Sequence, residues 1–392
     1  MQATAERKNR GGNRRSVPPL TALRVWAAAG GRCNFPGCND YILQDSLTLR
    51  DAKLGHIAHI VAAELDGPRG DHPLPVGDRN AIGNLALMCF KHHEMIDDSP
   101  EQYPVALLME WKHEHESRIR RLTGIQADHK TTILRMVATI GSQKPVIPFD
   151  HICAAIQPRY PTDDRGLEIA LTQLPEPEHP DYWEQGARLI DDAISNGNRP
   201  TVAARAVDHW SAFALAPIPF LVHLGSRLGS LAQVDLFQRH RDTNDWQWKD
   251  VEPGETLAFD LAKPVTEGAA EAVLSISVSG TIHDDDLPET IIAAGLPVYR
   301  IAVSGCTPDP TVLRTRRDLI AFRRVYAEAM ATIRLDNPEV QLVHLCAAVP
   351  APIAVMCGIE LLPKVHPSLA VYDFHRRSGK FQFALRTNHY ER

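Results

Sequence analysis

The hydrophobic and polar positions of the chain separate it into two regions with different patterns. In the first region, apolar residues recur at helical spacing through 105–122, with charged residues between them, and Gly124 follows. This pattern predicts an amphipathic helix that closes the first region. Polar residues at 126–130 and a proline-bearing stretch at 144–148 flank a short apolar run at 133–140. We interpret that run as a helix within an interdomain connector.

The second region alternates strand-like runs with helical runs, beginning with a strand-like one. The runs are residues 152–156, 182–195, 272–278, 298–303, 313–333 and 342–347. Such alternation is typical of an α/β sheet with helices packed against it.

A repeat with a constant offset lies within this second region. The string Pro217-Ile-Pro, followed by Gly225, recurs as Pro350-Ala-Pro, followed by Gly358, so that both features return 133 positions later. We infer an internal duplication. Two similar halves that face one another form a pseudo-symmetric cleft, and ligands of open α/β sheets bind at the carboxyl ends of the strands. A ligand with approximate two-fold symmetry would suit this cleft.

Composition narrows the class of protein. The chain has 392 residues, of which 44% are hydrophobic and 23% charged, as in a globular protein of two or three domains. No apolar run approaches the ~20 residues of a membrane span, and the first residues lack the apolar core of a secretory signal. These features exclude a membrane protein and predict a cytoplasmic one.

Charge and pattern together divide the chain into four segments. They are a basic tail at 1–19, a first domain at 20–124, a connector at 125–149 and a second domain at 150–392. The net charge of -6 excludes a uniformly basic surface. The tail is either a solvated end or an arm that binds phosphate.

Two short pairs of cysteine and histidine have the spacing of zinc ligands. Cys33 and Cys38 enclose a turn that contains Pro-Gly, and Cys89 stands three residues before His92. Zinc prefers four soft or borderline ligands in a tetrahedron, usually supplied as two close pairs on turns. We therefore predict a structural Zn²⁺ ion that holds the fold and takes no part in chemistry.

The first domain resembles the HNH endonucleases over residues 23–111. The strings that carry the resemblance are Ala58-His-Ile, Gly67-Pro-Arg-Gly, Asn84-Leu-Ala-Leu-Met-Cys, and His92-His with Asp97 four residues after the second histidine. The resemblance implies an α+β fold in which an N-terminal ββα-metal (HNH) nuclease is braced by the structural zinc.

The same resemblance assigns a role to each residue. His59 matches the general base, Asn84 orients it, and His93 matches a metal-binding histidine, with Asp97 one turn later. His56 stands where relatives usually carry an acidic metal ligand, so the roles of the two strand histidines remain exchangeable. Phosphodiester hydrolysis needs such a base for water and a divalent cation for the charge on phosphorus.

The catalytic cation is expected to be Mg²⁺, with Mn²⁺ or Ni²⁺ as alternatives because imidazole ligands suit them. Arg69, in the string Gly67-Pro-Arg-Gly, either approaches the substrate backbone or belongs to a simple turn.

The second domain resembles the SAVED domains, second-messenger sensors of bacterial antiphage systems that signal with cyclic oligonucleotides. The strings are Pro217-Ile-Pro-Phe-Leu-Val-His-Leu-Gly, Gln238-Arg-His-Arg, Trp246-Gln-Trp, Val349-Pro-Ala-Pro-Ile-Ala, Leu362-Pro-Lys-Val-His-Pro and Val371-Tyr-Asp. The resemblance implies a C-terminal α/β SAVED domain built from two duplicated Rossmann-like (CARF-like) halves that bind a cyclic dinucleotide between them.

Bases of such a ligand need aromatic or guanidinium planes, and its phosphates need cationic donors. The candidate residues near strand ends are Gln238, Arg239, Arg241, Trp246, Trp248, Arg376 and Arg377. Two small residues that follow apolar strands, Ser279 and Ser304, are weaker candidates.

Together the two resemblances match an effector of the CBASS antiphage system. They imply a metal-dependent endonuclease that degrades double-stranded DNA without sequence preference and causes abortive infection. Its activator would be a cyclic dinucleotide made by a partner nucleotidyltransferase, and it would form a homo-oligomer, a dimer that grows on activation.

Two other functions stay open. One is a restriction-type HNH enzyme whose C-terminal domain reads modified DNA, which the duplication and the acidic balance oppose. The other is a zinc finger that only binds nucleic acid, which leaves His59, Asn84 and His93 without a role.

Overall fold

The chain is described here by a computed structural model that covers residues 16–140, 143–163, 166–197, 209–229, 233–249, 256–265 and 268–387. It divides into two compact units, Met1–Gln126 and Ala127–Arg392. Most of the predicted basic tail lies outside the described residues. Among the described helices, none combines the length and the hydropathy that a membrane crossing requires.

The first unit is a two-stranded hairpin with three helices. Its elements are α1 (Pro19–Ala28), β1 (Gly55–His59), β2 (Leu85–Cys89), α2 (Phe90–Asp98) and α3 (Val105–Thr123). β1 and β2 are antiparallel, with His56 opposite Met88 and His59 opposite Leu85. α2 begins directly after β2, so these elements form a ββα arrangement.

The hairpin of the first unit buries both of its faces. Ala58 and Met88 pack on one side with Ile96 of α2 and Leu108 of α3. Leu85 and Leu87 pack on the other side, and the residues they meet there are Val25 of α1 and Ile42. Because alternate residues of a strand point to opposite faces, the two strands supply both clusters at once.

The second unit is an α/β structure with two sheets. Its elements are β3 (Lys130–Ala138), α4 (Phe149–Ala155), β4 (Tyr160–Pro161), β5 (Leu167–Leu171), α5 (Tyr182–Gly197), β6 (His209–Leu215), α6 (Ile218–Leu228), β7 (Gln233–Leu236), β8 (Ala258–Ala262), β9 (Glu271–Ser277), α7 (Glu289–Ala294), β10 (Val298–Ser304), α8 (Arg316–Asp336), β11 (Leu342–Ala348), α9 (Ala351–Ile359), β12 (Ser368–His375) and β13 (Lys380–Thr387).

Each of the two sheets has parallel strands at its centre. In the first sheet β4, β3, β6 and β7 follow in that order, and β5 also pairs with β3. In the second sheet the order is β13, β12, β11, β9, β10 and β8, and only the edge strands β13 and β8 pair antiparallel. The remaining pairs, from β12 through β10, are parallel. Parallel sheets of this kind are covered by helices, which fits the alternation in the sequence.

The repeated sequence folds in the same way in both copies. β6 spans 209–215 and β11 spans 342–348, an offset of 133 at both ends. The helix that follows begins at Ile218 in one copy and at Ala351 in the other, again 133 positions apart. In each copy the helix starts after one proline and has a second proline in its first turn, where proline's missing N–H costs nothing.

The two repeated helices, α6 and α9, touch through their backbones. A Cβ atom on Gly225 would lie 2.0 Å from the carbonyl oxygen of Val355, and one on Gly358 would lie 2.0 Å from that of Val222. These two contacts are the same contact seen from each copy, because 222 and 355 also differ by 133. The helices therefore cross about a local two-fold axis, and one apolar core spans both sheets.

Two predicted elements were wrong. The run at 133–140, predicted as a helix in a connector, lies mostly in β3. This strand is the first of its sheet in chain order, and it pairs with β5 on one side and β6 on the other. A strand buried on both faces reads as a continuous apolar run, and Thr132, Ile133 and Val137 favour it. The run at 152–156, predicted as a strand, belongs largely to α4, where Ile152 and Ile156 are buried one turn apart.

Candidate functional site

The cysteines and the histidine predicted as zinc ligands come together in the first unit. Cys33, Cys38, Cys89 and His92 each direct a donor atom into one cluster, and these four atoms lie within 4.8 Å of one another. Nδ1 of His92 is 3.1 Å from Sγ of Cys89 and 3.7 Å from Sγ of Cys33. Tetrahedral zinc with ordinary bond lengths separates sulfur and nitrogen ligands by about 3.6 Å. Among the described residues, no other three candidate ligands bring their donor atoms this close together, and the predicted catalytic ligands His56, His93 and Asp97 do not form such a group.

Neighbouring groups hold this cluster in place. The ring of Phe35 stacks on that of His92 at 4.0 Å, and the backbone N–H of Cys89 donates to Sγ of Cys33 at 3.3 Å. Burial raises the pKa of the Cys33 and Cys38 thiols. Buried thiols of this kind are costly to ionise alone, and a bound cation reverses that preference because it stabilises thiolates.

Three histidines gather beside the hairpin. The rings of His56 on β1 and His93 on α2 are nearly parallel with centroids 5.2 Å apart. Burial lowers the pKa of His93, the Asp97 carboxylate opposes this, and the imidazoles of His56 and His59 lower it further. His93 therefore lies within electrostatic range of both His56 and His59, although these two residues are three positions apart on β1 and so point to opposite faces of the strand.

Asn84 fixes backbone and does not touch the predicted base. It is buried, its Oδ1 accepts from the N–H of Val61 at 2.8 Å, and its Nδ2 donates to the carbonyls of Val61 and Arg79 at 2.8 and 2.9 Å. It thus ties the end of β1 to the turn that precedes β2. The side chain that contacts His59 is Asn80, whose Oδ1 lies 2.8 Å from Nε2. Sequence reasoning missed Asn80 because a lone asparagine in a turn carries no distinctive spacing.

Arg69 is an internal brace, so the expectation that it approaches a substrate backbone is not met. Its guanidinium is buried and donates to the carbonyls of Ile60 and Ile96 and to Oδ1 of Asp97, the last at 2.9 Å. The other carboxylate oxygen of Asp97 is 3.6 Å from Nε2 of His93. Asp97 therefore reaches the histidine group, but Arg69 already engages half of its carboxylate.

The second unit contains a cavity of about 670 Å³ between the repeated elements. It lies at the carboxyl ends of β6 and β11, where the first residues of α6 and α9 face it. The first repeat lines it with Leu215, Ile218, Gln238, Arg239 and Arg241. The second repeat lines it with Ser279, Val349, Pro350 and Ala351. Four predicted ligand residues, Gln238, Arg239, Arg241 and Ser279, thus lie at the cavity.

The cavity combines apolar walls with positive charge. Arg239 and Arg241 supply guanidinium groups, and no side chain caps the N-terminus of α6 or α9. The helix dipole and the uncapped N–H groups add partial positive charge there. Ion pairs of Arg314 with Asp242 and of Arg316 with Asp235, both 3.1 Å long, tie the arginine-bearing segment to the second half. The cavity is therefore suited to an anionic ligand with apolar or aromatic faces.

The other predicted ligand residues do not line this cavity. Trp246 is buried in a core cluster, where its ring packs against that of Phe213. Trp248 is half-buried, with its indole N–H bonded to the carbonyl of Leu236. The three that remain lie elsewhere on strands or their turns: Ser304 on β10, and Arg376 and Arg377 at the exposed turn between β12 and β13.

The second unit is thus a duplicated α/β domain with a cavity between its repeated elements. The sequence model of the family described as the SMODS-associated and fused to various effectors sensor domain, SAVED, matches residues 185–386. This match covers more than half of the chain, and the protein belongs to the SAVED family.

Solved structures with a similar fold are Cap4 SAVED/CARF-domain containing receptors. The Acinetobacter baumannii receptor with the cyclic trinucleotide 2′3′3′-cAAA is 14% identical, with 76% of this chain and 67% of that chain covered and a TM-score of 0.42. The same receptor with 3′3′3′-cAAA is 13% identical, with 75% of this chain and 62% of that chain covered and a TM-score of 0.42. The Moraxella osloensis receptor is 12% identical, with 81% of this chain and 70% of that chain covered and a TM-score of 0.39. This chain spans about two thirds of the length of the A. baumannii receptor, and no curated protein matches it significantly.

Proposed function

We propose that the protein is a metal-dependent endonuclease that cuts double-stranded DNA when a cyclic dinucleotide binds its SAVED domain. Such an enzyme serves CBASS antiphage defence by abortive infection, with a partner nucleotidyltransferase that makes the activator. The observation that carries the nuclease half is the ββα unit in which His56 stacks on His93 while His59 lies within electrostatic range.

The cavity of the second unit supports a cyclic nucleotide as the activator. Its two arginines and its two uncapped helix N-termini suit phosphates, and its apolar walls suit nucleobases. The repeated helices present similar backbone from both sides, which favours a ligand with two similar halves. Two nucleotides joined in a ring have that symmetry. We further propose that ligand binding converts a dimer to a larger homo-oligomer.

The first unit supplies the groups that hydrolysis needs. His59 accepts the proton of the attacking water, since a neutral imidazole is a base near pH 7. His56 and His93, with the oxygen of Asp97 that Arg69 does not engage, would hold Mg²⁺, Mn²⁺ or Ni²⁺. When bound, that cation supplies positive charge to phosphate oxygens. Asn84 keeps the strand end that bears His59 in register with the turn beside it.

The four-ligand cluster would hold a structural Zn²⁺ ion. Three thiolates and one imidazole fill a tetrahedral shell, so the ion would have no open position for substrate. The cluster instead fixes β2 and α2 to the turn at Cys33–Cys38, and with them the helix that carries His93.

The test is plasmid cleavage by the purified chain with a divalent cation, with and without a panel of cyclic dinucleotides. We expect nicking and linearisation only when one nucleotide is present, and none for His59→Ala, which should still bind that nucleotide. Cutting without any nucleotide would favour the restriction-type enzyme. An absence of cutting in all conditions would favour a protein that only binds nucleic acid.

A further inference from the structure

The side chain in contact with the proposed base is a carboxamide outside the predicted site. Oδ1 of Asn80 lies 2.8 Å from Nε2 of His59, although the two residues are 21 positions apart. Oδ1 is an acceptor only, so the ring nitrogen must donate this hydrogen bond. A neutral imidazole that donates through Nε2 carries its lone pair on Nδ1.

The turn that bears Asn80 is held rigid by other residues. Arg79 is 2% exposed and donates to the carbonyls of Leu74, Ala62, Glu64 and Gly70. Asn84 in turn binds the carbonyl of Arg79 and both backbone groups of Val61, two residues after His59. These bonds fix the backbone on each side of the Asn80–His59 contact without using the Asn80 carboxamide. The backbone of the turn therefore has supports besides this contact.

We propose that Asn80 is a positioning residue that keeps His59 in its Nε2–H tautomer and so makes Nδ1 the atom that deprotonates water. This inference rests on the proposed nuclease function. In the step, a water proton moves to Nδ1, the water oxygen bonds to phosphorus, and the bond from phosphorus to O3′ breaks with its electron pair on O3′. The opposite tautomer would present an N–H to the water and could not accept its proton.

The tautomer can be measured without nuclease activity. The full-length chain, labelled with ring-¹⁵N histidine, is examined by long-range ¹H–¹⁵N NMR at about pH 8.5, two units above an ordinary imidazole pKa. The His59 signal is identified by its loss in His59→Ala. We expect Nε2–H in the wild type and in Asn80→Asp, which keeps an acceptor oxygen, and a shift toward Nδ1–H in Asn80→Ala. Nδ1–H in the wild type, or no change in Asn80→Ala, would overturn the proposal.

Cleavage kinetics give a second readout. Asn80→Ala should lose roughly 10- to 100-fold in kcat at similar KM, as is usual when a group that orients a functional histidine is removed, while Asn80→Asp should retain activity. Asp78→Asn, an exposed change on the same turn, is the matched control and should cut like the wild type. Equal kcat for Asn80→Ala and wild type would also overturn the proposal. A wild type that never cuts defeats the nuclease function, whereas the NMR result on the tautomer still stands.

Discussion

Burial separates the arginines that stabilise the first unit from those that line the cavity of the second unit. Arg69 and Arg79 are buried in the first unit, and their guanidinium groups donate hydrogen bonds mostly to backbone carbonyls. Arg239 and Arg241 instead border the cavity of the second unit. The same residue type thus performs two tasks, and only its surroundings distinguish them.

Cys33→Ser tests the metal cluster at the scale of one ligand. If the cluster holds zinc as proposed, the change should abolish zinc binding and unfold the first unit, since structural zinc contributes on the order of 10 kcal/mol. Metal content by mass spectrometry and thermal unfolding measure both effects. Cys306→Ser, at an exposed cysteine of the second unit, should match the wild type. One zinc per chain with an unchanged Tm in Cys33→Ser would contradict the assignment.

Asp373 predicts a pH-dependent stability. Burial raises the pKa of this carboxyl to about 6, against the weaker opposing effects of the Phe374 N–H and His375. A carboxyl whose folded pKa is raised loses stability as pH rises from its unfolded pKa of ~3.9 through its folded value. Asp373→Asn should therefore stabilise the second unit by up to about 3 kcal/mol at pH ~8 and change little at pH ~3.5. Denaturant unfolding at both pH values is the measurement, and a stabilisation that is equal at both would contradict it.

The sequence was informative where ligand spacing is local. Cys89 and His92 are three residues apart, and the structure brings them together with the turn at Cys33–Cys38. It was uninformative where burial depends on distant segments. Arg376 directly follows β12 as expected, whereas Trp246 lies ten residues after the end of β7, and the spacing of neither string tells whether it faces the cavity.

Among the elements, the crossing of α6 and α9 imposes the strictest packing. At this crossing each helix has glycine where the partner's carbonyl approaches, and a methyl group on either would stand 2.0 Å from that oxygen. The surrounding residues are buried, so there is little room for relaxation.

Gly225→Ala should destabilise the second unit by about 3 kcal/mol or more, because overpacking of a buried contact forces backbone to move. Gly358→Ala should do the same, since the contact is repeated. Gly280→Ala serves as the control: its added Cβ would approach nothing closer than 3.8 Å, and Tm should hold. Equal Tm values for all three variants would refute the close crossing.

At the same scale, the repeat in the sequence located β6, α6, β11 and α9 well, because prolines and glycines mark positions with special backbone needs. The run that became β3 was mistaken for a helix, since a short apolar run has no period that distinguishes a central strand from a buried helix. The pairing partners that decide the matter, β5 and β6, lie 30 to 80 residues later.

In the proposed function, the first unit is the nuclease and the second unit is the sensor that activates it. The sensor half follows from membership in the SAVED family, and the nuclease half from the ββα unit. If each half carries the chemistry proposed for it, mutations should separate binding from cutting.

Arg239→Ala combined with Arg241→Ala should weaken binding of the activating cyclic dinucleotide by roughly 10- to 100-fold, because each removes a charged donor to phosphate. Isothermal titration calorimetry measures the affinity, and activated cleavage should fall in parallel. The matched control is the pair Arg376→Ala and Arg377→Ala, arginines that lie away from the cavity. An equal loss of affinity in the control pair would place the ligand elsewhere.

The glycine contact between α6 and α9 also constrains how the two repeats can diverge. Because backbone meets backbone there, neither helix can carry a larger side chain at this glycine unless the other helix withdraws. If the proposed cyclic dinucleotide carries two different bases, residues away from this crossing must distinguish them. The cavity residues that lie away from this glycine contact include Gln238, Arg239 and Arg241 in one copy and Ser279 in the other.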